Sequence, residues 1–318
     1  MLDDMAMKKL LDTKRGRIVL MILGGVILLA AVLLALYPII SNYINERYKS
    51  NVITEYAELA EEIDTSQQDA MLEAARLYNM TLVPGIQTGD TGEVFTEEQL
   101  RAAAESYYDI LMVRPDGMMG YIEIPSISVY LPIYHSTSDA ILERGIGHLI
   151  GTSLPVGGEN TRAVLSGHSG MARDRMFTDL EDVEEGDVFY IHVLNEVLAY
   201  RIFDIQIVLP EEVELLTIAR GRDLVSLVTC TPFGINTHRL IVTGERIPYE
   251  AENESGIVTT QRSKSITKWT WEYLKGLLLG LGVTMIVLSI LCFVIFIRRT
   301  NAAAAHLERR GRGGTRNE

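Results

Sequence analysis

The chain has 318 residues and two cysteines, and its 29 Lys and Arg against 42 Asp and Glu leave a net charge of −13. That balance excludes nucleic acid as a partner, because the basic residues cluster towards the two ends and leave the middle more acidic than the total. The length gives room for one sizeable domain with accessory segments, and a domain of about 200 residues folds without a disulfide staple.

Residues 18–40 form an uncharged apolar run, slightly longer than the roughly 20 residues a helix needs to cross about 30 Å of hydrocarbon. The run is too long for the apolar region of a secretory leader and lacks a clear small-x-small cleavage site. It therefore reads as a transmembrane signal anchor, a cleaved leader being the alternative. A second uncharged run covers 276–297 and reads as another transmembrane helix. Lys8, Lys9, Lys14, Arg15 and Arg17 precede the first run, and Arg298, Arg299, Arg309, Arg310, Arg312 and Arg316 follow the second. The excess of positive charge on the cytoplasmic side of membranes then puts 1–17 and 298–318 inside and 41–275 outside the cell membrane. Tyr37, Tyr43, Trp269, Trp271 and Tyr273 fit an interfacial aromatic belt at the outer face. With Cys292 in the second run and Cys230 in the outer part, no intramolecular disulfide is expected.

Within the outer part, Tyr56, Leu59, Ile63, Met71, Ala74, Ala75 and Tyr78 recur at three- and four-residue spacing, which predicts helix over 42–82 as a stalk or packing arm. Pro84, Gly85, Gly89, Asp90 and Gly92 break the pattern and predict a mobile loop over 81–96. A short helix is expected next, capped by Thr96 with Glu97 and Glu98 in its first turn and carrying Leu100, Ala104, Tyr107, Tyr108 and Leu111. From Met118 the character changes to strands: 119–124, 128–133, 162–166, 187–194, 196–209, 224–230 and 239–244 are rich in Val, Ile, Tyr and Thr. Many short strands with Gly and Pro punctuation predict an antiparallel barrel or sandwich over 118–250. A linker, 251–275, leads to the second run.

The stretch 225–246 carries the chemistry. Cys230 ends one expected strand and Arg239 opens the next, which brings a thiol near a guanidinium. A cysteine nucleophile also needs a proton partner; His168, in Leu-Ser-Gly-His-Ser-Gly at a strand end, can supply it, and His135, His148, His192 and His238 are alternative bases. Each residue has a plainer reading, Cys230 as a small buried hydrophobe, His168 as a hydrogen-bonded structural histidine, Arg239 as the partner of a carboxylate. Side-chain alternation turns His238 and Thr229 to the opposite strand face, Thr229 as support for the site. Asp204, Asp223 and Glu245 read as solvated charges. No Cys-x-x-Cys, His-Glu-x-x-His or calcium-loop pattern occurs, so no metal or cofactor is expected.

Ser-Leu-Val-Thr-Cys, Thr-Pro-Phe-Gly-Ile-Asn-Thr-His-Arg-Leu, Met-Gly-Tyr-Ile-Glu-Ile-Pro, Leu-Pro-Ile-Tyr-His, Ile-Gly-His-Leu-Ile-Gly-Thr-Ser-Leu-Pro-Val-Gly-Gly-Glu-Asn and Met-Phe-Thr-Asp-Leu occur within 118–247. Together they resemble the class C, pilin-polymerising sortases of Gram-positive bacteria. The resemblance implies a mainly β fold, the closed sortase-type barrel, with an N-terminal helical arm. It implies a thiol transpeptidase in which Cys230 is the nucleophile, His168 the general acid/base and Arg239 the oxyanion and substrate clamp. The implied partners are pilins or other surface proteins with an LPxTG-like sorting signal and an amine acceptor on a second pilin or a cell-wall precursor. A cell-wall-anchoring or hydrolytic sortase would use the same residues; a non-enzymatic extracellular scaffold is the alternative from another class. The chain departs from the class in two places. No Asp-Pro-aromatic lid motif occurs between Asn51 and Pro115, leaving 81–96 as the candidate lid, and Ser-Gly-His-Ser-Gly replaces the commoner Ser-Ala-His-Arg-Gly.

Overall fold

The structure is a computed structural model of the chain; it describes residues 13–82, 105–171, 173–249, 271, 273–286, 289, 290 and 293. It divides into two compact units, Met1–Trp269 and Thr270–Glu318. In the second, Tyr273–Ile286 is an apolar helix, so the expected span over 276–297 falls partly outside the described residues.

The first apolar run and the amphipathic segment after it are one helix. Helix α1 spans Lys14–Glu62 with Pro38 inside it, and Gly24–Glu62 is long and apolar enough to cross a membrane. Helix α2 (Thr65–Thr81) follows a break at Ile63 and Asp64, so the single helix expected over 42–82 is in fact two. Helix ends leave backbone groups unpaired, and side chains close this joint: Asp64 accepts from the Ser66 amide at 3.1 Å, while Gln68 donates to the carbonyls of Ala60 (2.7 Å) and Ile63 (3.0 Å). Of the short helix expected over 96–111, residues 96–104 lie outside the described residues and Tyr107–Asp109 forms a single 3-10 turn.

Strands β1 (Met118–Ile124), β2 (Val129–His135), β3 (Ile146–His148), β4 (Thr161–Ser166), β5 (Val188–Val193), β6 (Glu196–Val208), β7 (Asp223–Thr231) and β8 (His238–Ile247) close a barrel in the order β1-β2-β3-β4-β7-β8-β6-β5. The barrel is not wholly antiparallel as expected, since β2 pairs with β3 and β4 with β7 in parallel. Parallel neighbours need a crossover; the connection from β2 to β3, which holds the short helix α3 (Asp139–Leu142), supplies one. Inside the barrel Ile122, Ile133, Leu165, Phe177, Ile191, Leu227 and Val242 pack into one core, which α2 joins through Leu72, Ala75 and Tyr78. A second cluster seats α1 on the barrel through Val52, Ile53, Tyr56, Ala60, Met118 and Tyr134.

Tyr56 is the polar centre of that second contact. Its buried hydroxyl donates to the Met119 carbonyl at 2.9 Å and accepts from the Leu194 amide at 2.9 Å, and burial pushes its pKa up to about 12. Leu194 turns the two-residue hairpin between β5 and β6 at φ 52°, a conformation that a branched side chain rarely adopts. The hydroxyl of α1 thus pins a strained turn. Tyr56→Phe leaves a buried amide and carbonyl unpaired, so it is expected to cost about 1–3 kcal/mol in urea unfolding; an unchanged midpoint would refute the role given to this hydroxyl.

Candidate active site

β7 lies between the two elements that hold the other candidate residues. On one side it pairs antiparallel with β8, and Cys230 stands directly opposite Arg239. Such pairs hold their Cβ atoms about 4.5–5.5 Å apart on one face. Leu227, Leu240 and Val242 turn into the core, so alternation sends Val228, Cys230, Arg239 and Ile241 to the outer face. On the other side β7 runs parallel to β4, in register through Ser166↔Val228. The Gly167 amide continues that ladder to the Val228 carbonyl at 3.0 Å. Two residues beyond Ser166↔Val228 the same register aligns His168 with Cys230, and strand spacing is about 4.8 Å.

Three further contacts hold the histidine turn. Buried Thr229 donates to the Gly167 carbonyl at 2.7 Å, Ser169 donates to the Cys230 carbonyl at 2.5 Å, and the Phe177 amide donates to the His168 carbonyl at 3.0 Å. Gly167 is required here by space: a Cβ would come within 2.7 Å of both Ile146 and Phe177. Thr229 acts as the support that alternation predicted. Ser169 is the support that sequence reasoning missed, although it is, with Gly167, one of the two residues at which the histidine motif departs from the commoner pattern. It spends its hydroxyl on the backbone of Cys230.

Cys230 is a free thiol of intermediate exposure. Arg239 has no carboxylate partner among the described residues; its guanidinium donates to the carbonyls of His238 (3.1 Å) and Asn236 (3.4 Å). It is available to a ligand. Arg239 also lines a mostly apolar groove of about 230 Å3 with Val164, Ser166, Val228 and Ile241 from the strands. Leu209, Pro210, Glu212 and Leu216 from the connection between β6 and β7 complete the groove, with Thr137 and Leu149 opposite. This wall was missed in sequence; its signal was Leu209, Pro210 and Leu216, apolar residues inside a connection.

The alternative histidines are placed elsewhere. His148 is fully buried in β3, its Nε2 2.8 Å from the Ser153 carbonyl. A carbonyl only accepts, so the proton is on Nε2 and Nδ1 accepts from the Tyr107 hydroxyl at 2.8 Å. Burial lowers its pKa to about 4. His135 holds the Gly117 carbonyl through Nδ1 at 2.9 Å, and burial lowers its pKa too. His192 stacks on Tyr121 with ring centroids 4.3 Å apart, in β5 across the barrel from β7. His238 pairs with Thr231 on the strand face opposite Arg239. Asp223 corrects an expectation: it is not solvated, but accepts from Tyr200 (3.0 Å) and the Gly158 amide (2.9 Å), and burial raises its pKa. Glu245 pairs with Arg222 at 2.8 Å on the surface.

A thiol, a histidine in register with it and a guanidinium with no carboxylate partner among the described residues, beside an apolar groove, are parts that thiol-based acyl transfer requires. The comparisons with known proteins agree. Residues 122–247 match the Sortase domain family. Sortase D of Bacillus subtilis is 33% identical over 131 residues, 40% of this chain and 63% of that protein. Sortase A of Streptococcus agalactiae is 32% identical over 132 residues, 40% of this chain and 52% of that protein. The chain thus spans between half and just under two thirds of the length of these curated relatives. Among solved structures, sortase C of Streptococcus pneumoniae shares 39% identity at a TM-score of 0.54, over 63% of this chain and 98% of that one. Clostridium perfringens sortase C, solved with the C-terminal cell wall sorting motif, shares 41% identity at a TM-score of 0.53, over 63% of this chain and 100% of that one. The chain belongs to the sortase family, and its structural neighbours are mostly class C members.

His148 gives the region a pH signature. Its folded pKa of about 4 lies below the unfolded value of about 6.5, so the unfolded chain binds the extra proton first. The stability linked to this group is complete above pH ~6.5 and is lost as pH falls towards about 4. In urea unfolding across that window the wild type is expected to lose stability more steeply than His148→Gln. Parallel slopes would show that the imidazole is not held neutral.

Proposed function

We propose that the chain is a membrane-anchored cysteine transpeptidase that cleaves an LPxTG-like sorting signal and transfers the acyl group to an amine. The observation that carries this is the pairing of Cys230 with Arg239 across β7 and β8, with His168 in register from β4. In the proposed reaction the thiol proton passes to His168 and Cys230 sulfur attacks the Thr-Gly carbonyl. Arg239 holds the oxyanion as the carbonyl oxygen takes up charge. The C–N bond breaks, His168 returns the proton to the departing amine, and a thioester remains on Cys230. An acceptor amine then attacks the thioester, the C–S bond breaks, and the proton that the amine loses restores the thiol through His168.

The same reading takes the acceptor to be a lysine amine of a second pilin, in keeping with the class C neighbours, one of whose structures is described in terms of pilin substrate specificity. It assigns 118–250 as the catalytic barrel, 41–117 as the arm and 251–275 as a linker. It puts the barrel outside the cell between two spans, 18–40 and 276–297. Tethering raises the effective concentration of enzyme and membrane-held substrate for one another. The lid expected within 81–96 falls almost wholly outside the described residues.

The test is cleavage of a fluorogenic LPxTG-type peptide by the full chain in detergent, with a lysine peptide present or absent. Wild type is expected to cleave between Thr and Gly and to join the acyl part to the lysine peptide. Cys230→Ala is expected to abolish both. His168→Ala should lower the rate about 10²–10⁴-fold and Arg239→Lys about 10²–10³-fold. Cleavage that survives Cys230→Ala would exclude this mechanism; cleavage with no joined product would leave a hydrolase.

A further inference from the structure

The floor of the groove changes character with distance from the thiol. In the row next to Cys230 and Arg239 it is formed by Ser166, Val228 and Ile241, and in the row beyond that by Val164, Ser226 and Thr243. Ser226 and Thr243 are buried, with their hydroxyl oxygens 3.1 Å apart. Arg162 precedes Val164 by two residues on β4, so its side chain leaves the same outward face. It reaches this second row, where its Nη1 donates to the Ser226 hydroxyl at 2.8 Å.

Arg162 is only 9% exposed, yet no carboxylate pairs with it among the described residues. The acids around it are engaged elsewhere. Glu245 pairs with Arg222 at 2.8 Å, and Asp204, opposite Thr243, accepts from Gln206 at 2.9 Å. The Nε of Arg162 is buried with no hydrogen-bond partner among the described residues. Burial lowers its pKa, the Arg222 charge lowers it further, and Asp204 opposes them from a distance. Burying a cation without its counter-charge is costly, so a floor that only had to pack would carry an apolar residue here. Spare guanidinium donors in a partly dried site suit a carboxylate, which accepts from them as a fork.

The position of this cation along the groove says which part of a substrate it meets. Cys230 and Ser226 are four residues apart on β7, about 13 Å at ~3.3 Å per residue. An extended acyl segment with its Thr carbonyl at Cys230 covers that distance in the same number of residues. The x, Pro and Leu of the motif then lie over the apolar floor, and the residue before the Leu arrives at the row of Ser226. We propose that Arg162 is a specificity-determining residue, which takes the carboxylate of an Asp or Glu placed immediately before the LPxTG-like motif. The signal this chain reads is thus one residue longer than the motif, and its first position is acidic. The inference rests on the transpeptidase reading above and adds a substrate position to it.

The experiment uses the full chain in detergent and fluorogenic LPxTG-type peptides that differ only in the residue before the Leu, which is Glu, Gln or Lys. Wild type is expected to show a kcat/KM about 10–100-fold higher for the Glu peptide than for the Gln peptide, with the Lys peptide lowest. Arg162→Gln should cleave the Glu and Gln peptides alike. Arg162→Lys keeps the charge and loses the fork, so it should keep the order of the peptides with smaller gaps. Urea unfolding of each variant establishes that it is folded. Equal wild-type values for the three peptides would overturn the proposal, as would an undiminished preference for Glu in Arg162→Gln. An equal loss on all peptides in a folded Arg162→Gln that keeps the wild-type order would overturn it too, since the guanidinium would then only support the floor. Failure of the wild type on every peptide would instead refute the transpeptidase reading, and this inference with it.

Discussion

The site depends on one strand being bonded in two directions. β7 runs parallel to β4 and antiparallel to β8, and because side chains alternate, each seam has a single register that turns Cys230 outward while keeping Leu227 in the core. A slip of one residue on either seam would bury the thiol or carry away one of its neighbours. The register is fixed by the apolar faces of the barrel. Chemical placement is thus a by-product of core packing, with Leu165, Leu227 and Val242 as responsible for the geometry of the site as the polar residues on its surface.

The histidine reaches this arrangement from a turn beyond the end of β4, where no ladder holds it unaided. In place of the ladder, Thr229 donates to the Gly167 carbonyl, the Phe177 amide to the carbonyl of His168 itself, and Ser169, the next residue, to the Cys230 carbonyl. Two of these partners come from β7 or bond to it, so the turn moves with the strand that carries the thiol. The outer side of the same loop is held by α1 through Asn42, Asn45 and Lys49. One continuous helix thereby joins the apolar run to the loop of the candidate base, and Tyr56 fastens it again farther up at the turn between β5 and β6.

Much of this was legible before the structure. Strands rich in β-branched residues announced themselves, and the order of motifs from Met118 to Ile247 pointed to the barrel and to Cys230, His168 and Arg239. What stayed hidden is physical in origin. β3 is three residues, Ile-Gly-His, too short to show an alternation. The parallel seams depend on crossovers that local pattern does not encode. The division of the arm into α1 and α2 turns on Gln68 reaching back to two carbonyls, a contact no periodicity announces. Asp223 looked solvated because its partners, Tyr200 and Gly158, are distant in sequence. In the sequence Ser169 shows only as a departure from the commoner motif, and its use as a backbone tie appears only once β4 and β7 lie side by side.

The central claim is that Cys230 carries the acyl group between cleavage and transfer. Intact-mass measurement of the full chain, quenched in acid during turnover of a sorting peptide without acceptor, tests it most directly. The account predicts a mass gain equal to the acyl portion of the peptide. That gain should map to Cys230, be absent from Cys230→Ala and be discharged by an added amine. Steady cleavage with no adduct on Cys230, or an equal adduct on the Ala variant, would contradict it.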